Sequence, residues 1–121
     1  MARPSHFEIP VDNPDRAEKF YSAVFGWTFQ RFDGGPGYYG MATTGEEVPG
    51  INGALFQRAP DTETTLTMSV PSIEGSIAQI KENGGGVVQN KTPIPGMGWF
   101  ATCTDSEGNK IGLFTNDEKA G

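Results

Sequence analysis

His6 and Glu8 are the two side chains of this chain best suited to chemistry. His6 is the only histidine, and it stands two positions from a carboxylate. In an extended segment, residues i and i+2 share a face, so the imidazole and the carboxylate stand side by side. Such a pair can work as an acid–base couple, hold a ligand by hydrogen bonds, or give two ligands to a metal ion. A carboxylate among aromatic rings would also have its pKa raised and exchange protons near neutral pH. Alternatively, Glu8 pairs with Lys110 or Arg31, or stays in water. His6 reads as a general base, as a donor to a bound molecule, or as part of a pocket wall. Cys103, the single cysteine, reads as a small buried filler rather than a nucleophile. There is no Ser-His-Asp motif, phosphate loop or Gly-x-Gly-x-x-Gly fingerprint.

The pair sits on a segment, 5–11, where Phe7, Ile9 and Val11 alternate with His6, Glu8 and Pro10. Period two with one apolar set predicts a strand with one buried face. Asp12 or Asn13 can cap a following helix, and Pro14 suits its first turn. Ala17, Phe20, Tyr21, Val24 and Phe25 then fall at helical spacing. They predict an amphipathic helix with an aromatic face, stopped at Gly26. Further strands are predicted over 27–32, 38–43 and 51–57, with a turn cluster at Asp33-Gly34-Gly35-Pro36-Gly37 and a linker over 58–62.

The order then repeats. Leu66, Met68 and Val70 alternate with Thr65, Thr67 and Ser69, and Ser72 caps a helix to about residue 83 with Ile73, Ile77 and Ile80 inward. Strands are predicted over 87–90, 99–104 and 110–114, with a loop over 92–97 and a frayed tail over 117–121. Val11 and Val70 are 59 positions apart, as are Gly26 and Gly85. The chain therefore reads as one α+β domain, 1–121, built from two βαβββ modules over about 5–57 and 64–116, with helices on one side of the sheet.

Three strands share a mixed, partly polar face: His6, Glu8 and Pro10; Thr65, Thr67 and Ser69; Lys110, Gly112 and Phe114. A curved sheet would make these faces a ligand cleft, whereas an open sheet would leave them to water. Trp99, after Pro95-Gly96-Met97-Gly98, is either a wall of that cleft or core, since Trp99 or Phe100 must point inward. Of Tyr38 and Tyr39, one should face the helix and the other the opposite side. The candidate ligand-binding set is His6, Glu8, Thr65, Thr67, Trp99, Lys110 and Phe114, with His6 and Glu8 as the candidates for catalysis.

Length bounds the rest. At 121 residues the chain is one domain in size. A net charge of −6 with few, scattered basic residues argues against nucleic acid and leaves room for a cationic ligand. No apolar run approaches the roughly 20 residues of a membrane helix, so no membrane partner is expected. The first residues lack a secretory apolar region, which makes the cytoplasm the expected location.

Two stretches resemble the vicinal oxygen chelate superfamily, that of glyoxalase I, extradiol dioxygenases and bleomycin-resistance proteins. One is His6-Phe7-Glu8-Ile9-Pro10-Val11 with Pro14-Asp15-Arg16-Ala17, Phe20-Tyr21 and Val24-Phe25-Gly26-Trp27. The other is Asp105-Ser106-Glu107-Gly108-Asn109-Lys110-Ile111-Gly112-Leu113-Phe114, similar to the family's closing turn and strand. The resemblance implies paired βαβββ modules forming a cup-shaped mixed sheet with helices outside, often completed in a homodimer.

In metal-dependent relatives it also implies four ligand positions. His6, fourteen residues before Phe20, fills the first. Thr65 stands at the second and Gly112 at the third, while 51–57 offers neither Glu nor His for the fourth. With one position of four filled, no cofactor is expected, and a divalent metal only through an atypical site on His6 and Glu8. The function this implies is metal-free binding of a small molecule by a homodimer. The alternatives are a lyase, isomerase or dioxygenase with an atypical metal site, and a bleomycin-type antibiotic-sequestering protein.

Overall fold

A computed structural model of the chain describes residues 2–33, 35 and 37–121. Gly34 and Pro36 of the predicted turn cluster lie outside the described residues. The elements run β1 (Arg3–Val11), α1 (Pro14–Phe25), β2 (Thr28–Arg31), β3 (Tyr39–Thr43), β4 (Asn52–Gln57), β5 (Thr65–Ser69), α2 (Ile73–Glu82), β6 (Gly86–Ile94), β7 (Gly98–Thr104) and β8 (Lys110–Asn116). This is βαβββ twice, an α+β fold. The chain divides into two compact units, His6–Thr64 and Thr65–Gly121, the latter taking in the leading residues of β1.

In the first unit the strand order is β2-β3-β4-β1. β1 lies parallel to β4, and the other neighbours are antiparallel. A parallel pair needs a crossover connection, which α1 and the β2–β3 hairpin supply. The Asn13 side chain caps α1 by accepting from the Arg16 amide at 3.0 Å, and Pro14 fills the first turn, where no N–H is needed. Gly26 ends the helix in the left-handed region at φ 74°, which costs a glycine nothing.

One sheet face is laid against aromatic rings from α1 and the turn after it. Phe7 meets Trp27 at 5.3 Å between centroids, and Tyr21 stacks on Trp27 at 4.7 Å. The expected aromatic face of α1 is only partly used. Phe20, Val24 and Phe25 stay 53%, 57% and 59% exposed, because Trp27 covers Phe7, while Phe20 packs edge-on and Phe25 tilted against Tyr21 instead.

In the second unit the order is β5-β8-β7-β6, again with first and last strands parallel. Val70, Ile73, Ala101, Cys103 and Leu113 form its core, and Met68, Ile77, Ile80 and Trp99 pack around them. Ser72 caps α2 by accepting from the Gly75 amide at 3.0 Å. The repeat is visible in packing: Val11 and Val70 are both buried. The turn before β8 is tied by Asp105, whose carboxylate accepts from the amides of Glu107 and Asn109 at 2.8 and 2.9 Å. Those bonds hold its pKa below the usual carboxylate value.

Two expectations are corrected. β6 runs to Ile94 rather than stopping near residue 90, and the predicted loop over 92–97 shrinks accordingly. Register shifts at Val87/Gln89 and Gln89/Thr92 let the longer strand follow β7. Pro93 is tolerated because β6 is the outer strand of this unit's sheet. The tail is docked rather than frayed. Ala120 is buried, its carbonyl accepts from the Gly96 amide at 3.0 Å, and Asp117 accepts from the Trp99 indole at 3.0 Å. Among the described residues no helix is long and apolar enough to cross a membrane.

Candidate functional site

The registers of the first unit place His6 beside Asn52, Glu8 beside Ala54, and Tyr39 beside Phe56 on its other neighbour, with Met41 across from Ala54. Laddered neighbours point to the same side. His6, Glu8, Tyr39, Met41 and Phe56 therefore share the sheet face opposite α1.

Three of them are bonded together. The Tyr39 hydroxyl donates to Glu8 Oε2 at 2.6 Å, and His6 Nε2 lies 2.9 Å from the same hydroxyl oxygen. His6 Nε2 and Glu8 Oε2 are 3.8 Å apart, and the two side chains keep about a third of their surface, 31% and 34%. A single phenol thus bridges an imidazole and a carboxylate on a half-open face. Burial beside the anion pushes the Tyr39 hydroxyl pKa well up, so it stays protonated. Burial also lowers the His6 pKa, and the Glu8 charge only partly opposes this.

Tyr38, one residue earlier, serves the other side. Its hydroxyl donates to Glu18 of α1 at 2.6 Å, and Arg31 bonds Glu18 and Asp15. Arg31 is thereby held on the helix side and does not pair with Glu8. The sequence shows that one of the two tyrosines faces each way. Which one depends on strand register, and the residue that completes the cluster, Tyr39, is thirty-three positions from His6.

The remaining candidates belong to the second unit. Thr67 lies beside Gly112, and Ser69 beside Phe114, across the parallel β5–β8 pair. Thr65, Thr67, Lys110 and Phe114 thus share one face of that unit's sheet, together with Phe100, which pairs with Phe114. Trp99 does not join them. It alternates with Phe100, packs against the Ala101, Cys103 and Leu113 core, and carries the Lys91 ammonium 4.5 Å above its ring. Phe100, rather than Trp99, joins Phe114 as an aromatic side chain on the candidate face. Cys103 is fully buried in that core, and burial raises its thiol pKa, which suits a filler.

The residues at the family's ligand positions do not fit a metal ion. Thr65 is a poor ligand, and His6 Nε2 and Glu8 Oε2 already share the Tyr39 hydroxyl. At Gly112 a side chain would start in contact, because an added Cβ would lie 2.6 Å from Thr67 Oγ1. Among the described residues no group of three or more His, Cys, Asp or Glu side chains is placed to hold a metal. The crowding predicts that Gly112→Ala costs about 1–3 kcal/mol. Removing the clashing hydroxyl with Thr67→Ala in the same chain should recover part of that loss, which urea unfolding of the double-mutant cycle measures.

A pH dependence follows from His6. Its pKa in the folded chain lies below the ordinary 6.5, so below pH about 6.5 the unfolded chain takes up a proton that the folded chain resists. Stability should therefore fall as the pH drops through 6.5 toward the folded value, before the carboxylates titrate. Thermal unfolding from pH 7.5 to 5 checks this, and His6→Gln should flatten that part of the curve.

The comparisons with known proteins agree with this architecture. The family model described as bleomycin resistance protein-like N-terminal matches residues 3–44, the stretch holding His6, Glu8 and Tyr39. A glyoxylase-like domain-containing protein of Didymella fabae is 29% identical, over 95% of this chain and 94% of its own. The Mycobacterium tuberculosis protein CFP32, which carries a provisional glyoxylase name, is 24% identical over 98% of this chain and 47% of its own length. The chain thus spans about half of that relative. A methylmalonyl-CoA epimerase of M. tuberculosis superposes with a TM-score of 0.68 at 13% identity, over 94% of this chain and 87% of that one, a likeness of fold. The family match over residues 3–44, the glyoxylase-like relatives and the shared fold together support the superfamily of glyoxalases and bleomycin-resistance proteins that the sequence resembles.

Proposed function

We propose that this protein binds a small organic molecule, without a metal ion, against the His6–Tyr39–Glu8 face of its first unit. The observation that carries this is the hydrogen-bonded trio itself: three polar groups converge beside exposed Met41 and half-buried Phe56, with Asn52 and Gln30 on the same face. A few placed polar groups on an apolar lining are what a ligand site requires. The metal-free part rests on the donor set, since two of the family's ligand positions hold Thr65 and Gly112. Dialysis against Zn, Ni, Mn, Fe(II) and Co salts, with His6→Ala beside the wild type, tests it. Near-stoichiometric metal that disappears in the variant would overturn the metal-free reading. It would support the atypical-site enzyme, in which His6 and Glu8, 3.8 Å apart, supply the ligands. A fluorescence screen of small organic compounds, with Tyr39→Phe as control, tests the binding.

A second reading, sequestration of a bleomycin-type antibiotic, is favoured by the family match over residues 3–44 and by the net charge of −6, which suits a cationic drug. Expression that raises the tolerance of a host cell to such a drug would support it.

A further inference from the structure

The trio has a proton order. A phenol carries one proton, and Tyr39 gives it to Glu8 Oε2. The contact from His6 Nε2 to the same oxygen, at 2.9 Å, must then be an imidazole N–H donating to it. Glu8 thus selects the histidine tautomer through Tyr39, and Nδ1 is left as a lone pair. Within the described residues of the first unit, no hydrogen bond reaches Nδ1.

No cation of the first unit is placed on this face among the described residues, and its other polar side chains, Asn52 and Gln30, are neutral. The Lys and Arg residues of the first unit lie elsewhere: Arg16 and Lys19 on α1, Arg31 bonded to Asp15 and Glu18, and Arg58 bonded to Asp12 and the Pro10 carbonyl. An exposed Met41 lies two residues along β3 from Tyr39 and across Ala54 from Glu8.

Resting on the binding reading above, we infer that this face selects an organic amine with an aryl or branched aliphatic body and rejects carboxylates. The ammonium donates to His6 Nδ1 and meets the Glu8 charge, and the apolar body packs on Met41 and Phe56. A carboxylate would meet a lone pair and an anion, with only the neutral side-chain amides of Asn52 and Gln30 on the same face to donate to it. The net charge of −6 draws the same class of ligand.

Phenethylamine and hydrocinnamate, matched in ring and chain length and opposite in charge, test this on the full chain. Binding is read from the Met41 methyl resonance and the His6 ring nitrogens by NMR. The expected result is saturable Met41 shifts with phenethylamine, weakened about tenfold or more in Glu8→Gln, and an Nε2–H tautomer in the free protein. Equal or tighter binding of hydrocinnamate, or an Nδ1–H tautomer, would overturn the inference while the binding reading stands. If neither compound nor their longer homologues shift Met41 at millimolar concentration, the binding reading falls and this inference with it. Retained folding of Glu8→Gln is checked on its amide spectrum, and Tyr39→Phe serves as a second variant should it unfold.

Discussion

Leu55→Ala is expected to cost about 2–5 kcal/mol, the largest loss of any single substitution proposed for this chain. Leu55 is fully buried on β4, laddered between Ile9 and Gly40. It sits in the middle of the first unit's sheet on the side that receives α1, and that helix is shallowly packed, with no fully buried residue of its own. Truncation removes the transfer energy of a fully buried side chain and adds the cost of whatever cavity the neighbours leave open. Against a typical total of about 5–15 kcal/mol, this is a large fraction. Urea unfolding followed by tryptophan fluorescence measures it, with Leu66→Ala as reference. Leu66 is 44% exposed and should lose about 1 kcal/mol or less. A loss at Leu55 no larger than that at Leu66 would show that the first unit has no core at this strand.

Tyr39→Phe is the second large effect, and it separates function from fold. Removing the hydroxyl leaves Glu8 Oε2 without its 2.6 Å donor and His6 Nε2 without its 2.9 Å acceptor. Stranding partly buried polar groups costs about 1–3 kcal/mol, moderated here because both side chains reach water. The effect on ligand binding should be greater, about tenfold or more, because the imidazole is released from its tautomer and orientation. Tyr38→Phe is the control. It loses an equally short bond, to Glu18, but on the helix side, so binding should survive. Binding that falls equally in both variants would mean that the Tyr39 hydroxyl acts only through stability.

Much of this arrangement is legible in the residues. Alternation about His6 and Glu8, the Asn13 and Ser72 caps and the Gly26 stop are local signals, and each marks an element where the chain has one. The 59-residue echo of Val11 in Val70 reveals the repeat because buried strand ends need the same residue type twice. Long-range pairing is what local patterns omit. Tyr39 meets His6 only through the β1–β4–β3 register, and Trp99 and Phe100 divide between faces by a phase that the loop before them does not encode. The docked tail depends on a carbonyl of Ala120 meeting Gly96, a backbone contact without a side-chain signature. The exposure of Phe20, Val24 and Phe25 escapes helical periodicity because a residue outside the helix, Trp27, occupies the space they would fill.

Each unit closes by laying its opening strand parallel to its closing strand, with partners roughly 45 residues apart in sequence. During synthesis this makes the order of emergence matter. β1 leaves the ribosome before the rest of its unit and can take its place beside β4 only after Gln57 has followed it out, so the nascent chain carries an unsatisfied strand through most of a module. Local contacts, α1 and the β2–β3 hairpin, form meanwhile, and the slow step is the closure that brings His6 and Glu8 to Tyr39. The chemical trio is therefore among the last features of its unit to exist. A ribosome stalled before β4 would display the aromatic helix and hairpin but no site.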